Sequence, residues 1–159
     1  MLYLVKEGLL DILVLYLSNY IVRNKSDYYR LLQTVREDDT WEDWVLYLLE
    51  AVEQTAEQAI ATIHAIKSAL YDYKQRIRAD YKFYSQDLIN NLFMHPYTKI
   101  EFVQRDLQVS RLTATKYLDA LATGGFLQKQ RIGRGNYYVT LALSAVLQGE
   151  SKLLAAHPT

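Results

Sequence analysis

The chain of 159 residues contains no cysteine, only two prolines and six glycines. The missing cysteine excludes disulfides, thiolate catalysis and cysteine zinc sites, and it fits a reducing compartment. Three histidines, His64, His95 and His157, lie too far apart in sequence to make a metal-ligand spacing. Net charge is zero. No glycine-rich phosphate loop, His-Glu pair or Ser/His/Asp order can be assembled, so the residues offer no enzymatic motif. The apolar start Met1-Leu2-Tyr3-Leu4-Val5 is interrupted by Lys6-Glu7, which fits neither a signal peptide nor a membrane span. The expectation is a cytoplasmic chain with no membrane partner, no metal and no cofactor of its own.

What is present is enough for a core. Hydrophobic residues make up 50% of the chain, which argues against global disorder. Charge is unevenly spread: residues 1–84 hold 10 lysines and arginines against 13 acids, and residues 85–147 hold 7 against 4. A mildly basic second half on an acidic first half supports a nucleic-acid-binding module without carrying that reading alone.

The fold predicted is mainly α. Residues 2–10 read as a short helix ending near Gly8, and apolar residues crowd Ile12–Ile21, broken by Ser18-Asn19. Ser26 is expected to cap a helix to about Val35, followed by the acidic turn Glu37-Asp38-Asp39. Thr40 with Asp43 resembles a capping box opening the longest helix, Trp41 to about Tyr81, which contains no glycine or proline. Its first turns carry a broad apolar face, Trp41, Trp44, Val45, Leu48 and Leu49. From Val52 the face narrows to a heptad-like seam through Ala56, Ala59, Ile63, Ile66, Leu70 and Tyr73 to Ile77. The seam either lies on neighbouring helices of its own chain or is a surface for self-association. The fourteen tyrosines are expected to pack rather than to stack on bases; Tyr16, Tyr20, Tyr28, Tyr29 and Tyr47 fall among leucines, hydroxyls outward.

The most telling stretch is Val109–Leu127. Ser110 is a good N-cap, Ala114, Leu118 and Leu121 make one buried stripe, and Gly124 or Gly125 supplies the helix stop. Upstream, Ser85 caps a helix that stops at Pro96, Tyr97-Thr98-Lys99 is extended, and Ile100, Val103 and Leu107 mark a second short helix. Downstream, Leu127–Arg131 and Tyr137–Leu141 bracket the turn Ile132-Gly133-Arg134-Gly135-Asn136, a β-hairpin. Helix, turn, helix and hairpin in this order spell a winged helix-turn-helix over residues 85–147. The second helix of such a unit enters the major groove of DNA, which makes Arg111, Thr113 and Lys116 candidate readers of base edges. Arg111 alone among them can hold guanine with two hydrogen bonds. Lys129, Arg131 and Arg134 on the hairpin are candidates for phosphate or minor-groove contact. A winged helix that touches protein is the competing expectation.

The first half resembles the region that follows the active-site motif in Fic-family proteins. The residues concerned are Leu2-Tyr3-Leu4, Leu9-Leu10-Asp11-Ile12, Leu15-Tyr16-Leu17-Ser18, Tyr20-Ile21, Asn24-Lys25 and Asp27–Leu32, continued by Val35-Arg36-Glu37 and Trp41–Trp44. Leu13 departs from the family, which often has proline there. The resemblance implies protein AMP transfer from ATP with a divalent cation for a full-length member, and a long linking helix with a C-terminal winged helix. It also implies the divisions 1–40 for a Fic-domain remnant, 41–84 for the linking helix, 85–147 for the winged helix and 148–159 for a frayed tail. The family's signature, His-Pro-Phe-x-Asp/Glu-Gly-Asn-Gly-Arg-x-x-Arg, has no counterpart in this sequence, and His95-Pro96-Tyr97 is not a displaced copy. No catalytic residue is therefore carried over. The expected function is that of a non-catalytic regulatory or targeting portion of such a transferase, made by truncation, an internal start or choice of boundaries, which acts on DNA or, alternatively, associates through the Val52–Ile77 seam.

Overall fold

The computed structural model describes residues 5–8, 16–133 and 135–155, and it is mainly helical with one small antiparallel sheet. Its elements are α1 (Leu17–Arg23), α2 (Lys25–Asp38), α3 (Glu42–Asp80), α4 (Gln86–Met94), β1 (Tyr97–Thr98), α5 (Ile100–Leu107), α6 (Arg111–Thr123), β2 (Leu127–Ile132), β3 (Gly135–Thr140) and α7 (Leu141–Ala155). Contacts divide the chain into two compact units, one of them His64–Ser151 and the other built, among the described residues, mainly on 16–63.

In the first unit the expected helices form with shifted ends. Gly8 takes a left-handed φ of 68°, as a helix stop requires, whereas residues 1–4 and 9–15 lie outside the described residues. Ser18-Asn19 does not break its segment. Both sit inside α1, because a polar pair on the outer face of a helix costs little. Ser26 is not the cap of α2 either; the cap position is two residues earlier, at Asn24, and the helix runs past Val35 until Asp39 adopts the left-handed conformation. The long helix is α3, one residue shorter at each end than expected. The first helical bond, Val45 N–H to the Trp41 carbonyl at 2.9 Å, puts Trp41 rather than Thr40 at the cap position.

The small core of this unit holds Leu31, Val35, Tyr47 and Ala51. Tyr47 is ringed by aromatics, with Trp44 stacked on it at 6.0 Å and Tyr20 edge-on at 5.3 Å. Tyr16 and Tyr29 depart from the expected packing and lie mostly in solvent. The broad face is also less covered than its composition suggests: Trp41, Val45 and Leu49 are exposed. Tyr20, Leu31 and Tyr47 border an open cleft of about 530 Å³.

The second unit is packed more deeply. Ser85 Oγ accepts the Leu88 amide at 3.1 Å and opens α4 as its sequence predicts. Leu88, Ile89 and Leu92 of α4, Val103 of α5 and Ala114, Leu118 and Leu121 of α6 are wholly buried in one cluster. Tyr73 and Ile77 at the end of α3 belong to the same cluster, and Leu70 packs against it. The lower part of the apolar seam is thus core of its own chain, which corrects a self-association surface reaching to Ile77. At roughly 1.5–3 kcal/mol for each large apolar side chain removed from water, this cluster dominates the stability of the unit.

The hairpin is tighter than expected. Its strands run to Ile132 and from Gly135, which pair with one another, where a turn from Ile132 to Asn136 was expected. Arg134 itself lies outside the described residues. The sheet order is β1-β3-β2, with β3 central and alternately buried, and Thr98 of β1 opposite Tyr138. Leu141 does not extend the strand; it starts α7, and helix continues to Ala155 where a frayed tail was expected from 148 onward.

Candidate nucleic-acid interface

The link between α5 and α6 is set by local chemistry. Gln108 adopts a left-handed φ of 53°, ends α5 and anchors its own side chain on the Arg105 carbonyl at 2.7 Å. Ser110 follows in extended conformation, and its Oγ accepts the Thr113 amide at 3.2 Å, the cap its sequence predicts. At the other end, Gly125 takes the left-handed φ of 77°. The Phe126 amide then reaches the Leu121 carbonyl at 3.0 Å and the Gly125 amide reaches Ala122 at 3.2 Å, a Schellman closure. Gly124 leaves room for the Tyr81 hydroxyl: a Cβ there would collide with it unless the Tyr81 side chain moved.

These anchors aim the first turn of α6 outward. Arg111 and Lys116 are exposed, and neither takes part in an ion pair among the described residues. Thr113 is different. It is half-buried, and its hydroxyl lies 2.9 Å from that of Ser110, so it completes the cap instead of facing outward. Leu112, which the sequence reading passed over, is 83% exposed beside Arg111. An apolar residue at the second position of a capped helix gives no signal by itself; only the turn geometry shows that it faces away from the stripe of Ala114, Leu118 and Leu121.

On the hairpin, Arg131 is exposed opposite Asn136 and is unpaired among the described residues. Lys129 is already engaged. Its ammonium lies 2.7 Å from Asp119 Oδ1 on α6 and 5.5 Å above the Tyr138 ring. Tyr138 donates its hydroxyl to the same carboxylate oxygen at 2.8 Å. The bond to Asp119 raises the pKa of Lys129. Burial pushes Asp119 upward, but the hydrogen bonds from Lys129 and Tyr138 outweigh it and hold the carboxyl below its ordinary value. Burial, and then the bond to Asp119, raises Tyr138. The chemistry of this trio fastens the hairpin to α6.

A second polar network steadies α5. Thr98 donates to Asn91 Oδ1 at 2.6 Å, Asn91 donates to Asp106 at 2.7 Å, and Arg105 pairs with Asp106 at 2.7 Å. The bond from Arg105, then that from Asn91, lowers the Asp106 carboxyl below the usual range. Lys99, also passed over by the sequence reading, projects its ammonium over the Tyr137 ring at 4.4 Å. Of the six predicted residues, then, Arg111, Lys116 and Arg131 present cations outward, Thr113 and Lys129 are held by neighbours, and Arg134 is not described.

Among the described residues no helix is long and apolar enough to cross a membrane. Residues 70–143, a little under half of the chain, match the family model described as protein adenylyltransferase SoFic-like, C-terminal domain. The match opens on Leu70 at the edge of the core cluster and closes at the buried Leu143. Within those limits the chain is similar to the C-terminal domain of a Fic-type protein adenylyltransferase, and the match supports a Fic-family relationship.

Proposed function

We propose that the chain is a non-catalytic C-terminal portion of a Fic-type protein AMP transferase, with residues 85–147 forming a winged helix-turn-helix that targets DNA. The observation that carries the reading is the capped start of α6, whose first two turns hold Arg111 and Lys116 outward without ion-pair partners among the described residues. Arg131 on the hairpin supplies a third cation, exposed and without an ion pair among the described residues. ATP and a divalent cation belong to the transferase part of such a protein and are assigned to no residue of this chain. Phosphate neutralisation predicts binding to mixed-sequence DNA that weakens steeply with salt, by about one unit of logarithmic slope for each cation engaged. Arg111→Ala is expected to weaken binding about tenfold and Arg131→Ala somewhat less, read by fluorescence anisotropy between low and physiological salt. Absence of salt-sensitive binding, or an Arg111→Ala, Arg131→Ala pair that changes nothing, would overturn the DNA reading.

A second reading is a protein-interaction module that self-associates without DNA. One observation favours it: Ile60 and Ile63 on α3 are 55% and 60% exposed, and the seam above Leu70 is not filled by the core cluster. Light scattering separates the two readings, because the first requires no concentration-dependent mass.

A further inference from the structure

The unfilled part of the α3 seam has a pattern of its own. Ala56, Ala59 and Ile66 are half-buried and Ile63 is exposed, in steps of three and four residues. The face of α3 that serves the described core of the first unit carries Tyr47 and Ala51, about a third of a turn away at 3.6 residues per turn, so that core does not fill the seam beside it. Two small apolar residues are therefore followed by two large ones along one stripe. Charge along the same helix changes sign: residues 42–57 contain five acids and no lysine or arginine, and residues 64–78 contain four lysines and arginines with one acid.

We infer that a second copy of this chain docks on this seam with its α3 antiparallel, the two helices crossing near residue 61. The inference rests on the self-association reading above and is compatible with DNA binding. In that one register Ala56 meets Ile66 of the second copy and Ala59 meets its Ile63, so each layer sets a small residue against a large one. The same register brings the two exposed Ile60 side chains together at the twofold axis. It also places Glu53 opposite Lys67 of the second copy, twice by symmetry, at the positions that flank a helical seam. A parallel pairing loses all of this, since it lays five acids beside five acids and isoleucine on isoleucine. Other partners lack the argument from symmetry: the chain itself carries both the acidic and the basic half.

The test uses the full chain, whose lack of cysteine gives a clean background. Ala59→Cys mixed with Ile63→Cys should form a disulfide-linked pair on mild oxidation, whereas neither variant alone should link to itself. By sedimentation equilibrium, Glu53→Lys and Lys67→Glu should each weaken association about tenfold, and the double exchange should restore it. All four positions lie at least half in solvent or on the open stripe, and circular dichroism checks that helix content is kept. A strict monomer up to about 1 mM, the weakest affinity class of a specific contact, overturns self-association as a whole. A dimer in which each cysteine variant links to itself, or which the double exchange fails to restore, overturns the antiparallel register while leaving the broader reading standing.

Discussion

Two tyrosines on the same helix are held in different ways. Tyr73, in the second unit, donates its hydroxyl to the Phe126 carbonyl at 2.8 Å and accepts the Ala142 amide at 3.1 Å, with Phe93 and Phe126 edge-on at 5.3 and 5.1 Å. Tyr47, in the first unit, is equally shielded, yet its hydroxyl reaches a single carbonyl, that of Asn24, at 3.4 Å. One ring joins α3 to the start of β2 and of α7, through the Phe126 carbonyl, which also accepts the Leu141 amide, and through the Ala142 amide. The other fills space among neighbours that are themselves half-open. The difference teaches that burial alone does not rank the two units; what counts is how many backbone groups depend on a buried side chain.

The largest effect that would test this ranking is in the cores. Leu118→Ala removes a side chain with no exposure and neighbours that cannot collapse onto the space, so a loss of about 2–5 kcal/mol is expected. Leu31→Ala should cost less, about 1–2 kcal/mol, because Leu31 borders the open cleft and its surroundings can relax. Urea unfolding followed by circular dichroism measures both, and equal losses would break the ranking. Next in size is removal of the hydroxyls. Tyr73→Phe strands the Ala142 amide, while the Phe126 carbonyl keeps the Leu141 amide at 3.2 Å, and should cost about 1–2 kcal/mol, whereas Tyr47→Phe should cost less than about 1. Amide exchange at Ala142 sharpens the point, since only the first substitution should speed it.

The same contrast explains what could be read from the sequence. In residues 85–147 the helices up to Gly125 carry their own punctuation: Ser85 and Ser110 for caps, Pro96 for a stop, Gly125 for a Schellman end. Local rules and tertiary packing agree there from Ser85 to Gly125, and those helices fall where expected; the hairpin ends and the helix from Leu141, which carry no such punctuation, do not. In the first unit the cues were weak polar residues, Ser18, Asn19 and Ser26, and the helices run through each of them. Two features were illegible for a different reason. That Leu70, Tyr73 and Ile77 serve the core depends on contacts with residues more than forty positions away, such as the bond from Tyr73 to Phe126. Likewise Lys129 reads as a free cation until the register of the hairpin brings it to Asp119. Spacing along the chain carries neither fact.

The smallest effect separates two surface ion pairs by their reach. Arg30 and Asp27 lie 3.0 Å apart within one turn of α2, and Lys129 and Asp119 join the hairpin to α6. Both pairs are substantially exposed, so screening limits each to about 0.2–1 kcal/mol. Lys129→Met should nevertheless cost more than Arg30→Met, because it loosens a tertiary contact and not a local one. Its pH dependence is fixed in sign. The Asp119 carboxyl is held below its ordinary value, so the contribution is present above the unfolded pKa of about 3.9 and is lost as pH falls through the folded one. The Lys129 ammonium is raised, so the contribution persists below its unfolded pKa of about 10.4 and disappears as pH rises through the folded value. The stability gap between the native chain and Lys129→Met should therefore form a plateau from about pH 5 to 9 and close at both ends. A gap that stayed constant down to acid pH would show that the methylene stem of Lys129 over the Tyr138 ring, and not the charge pair, fastens the hairpin.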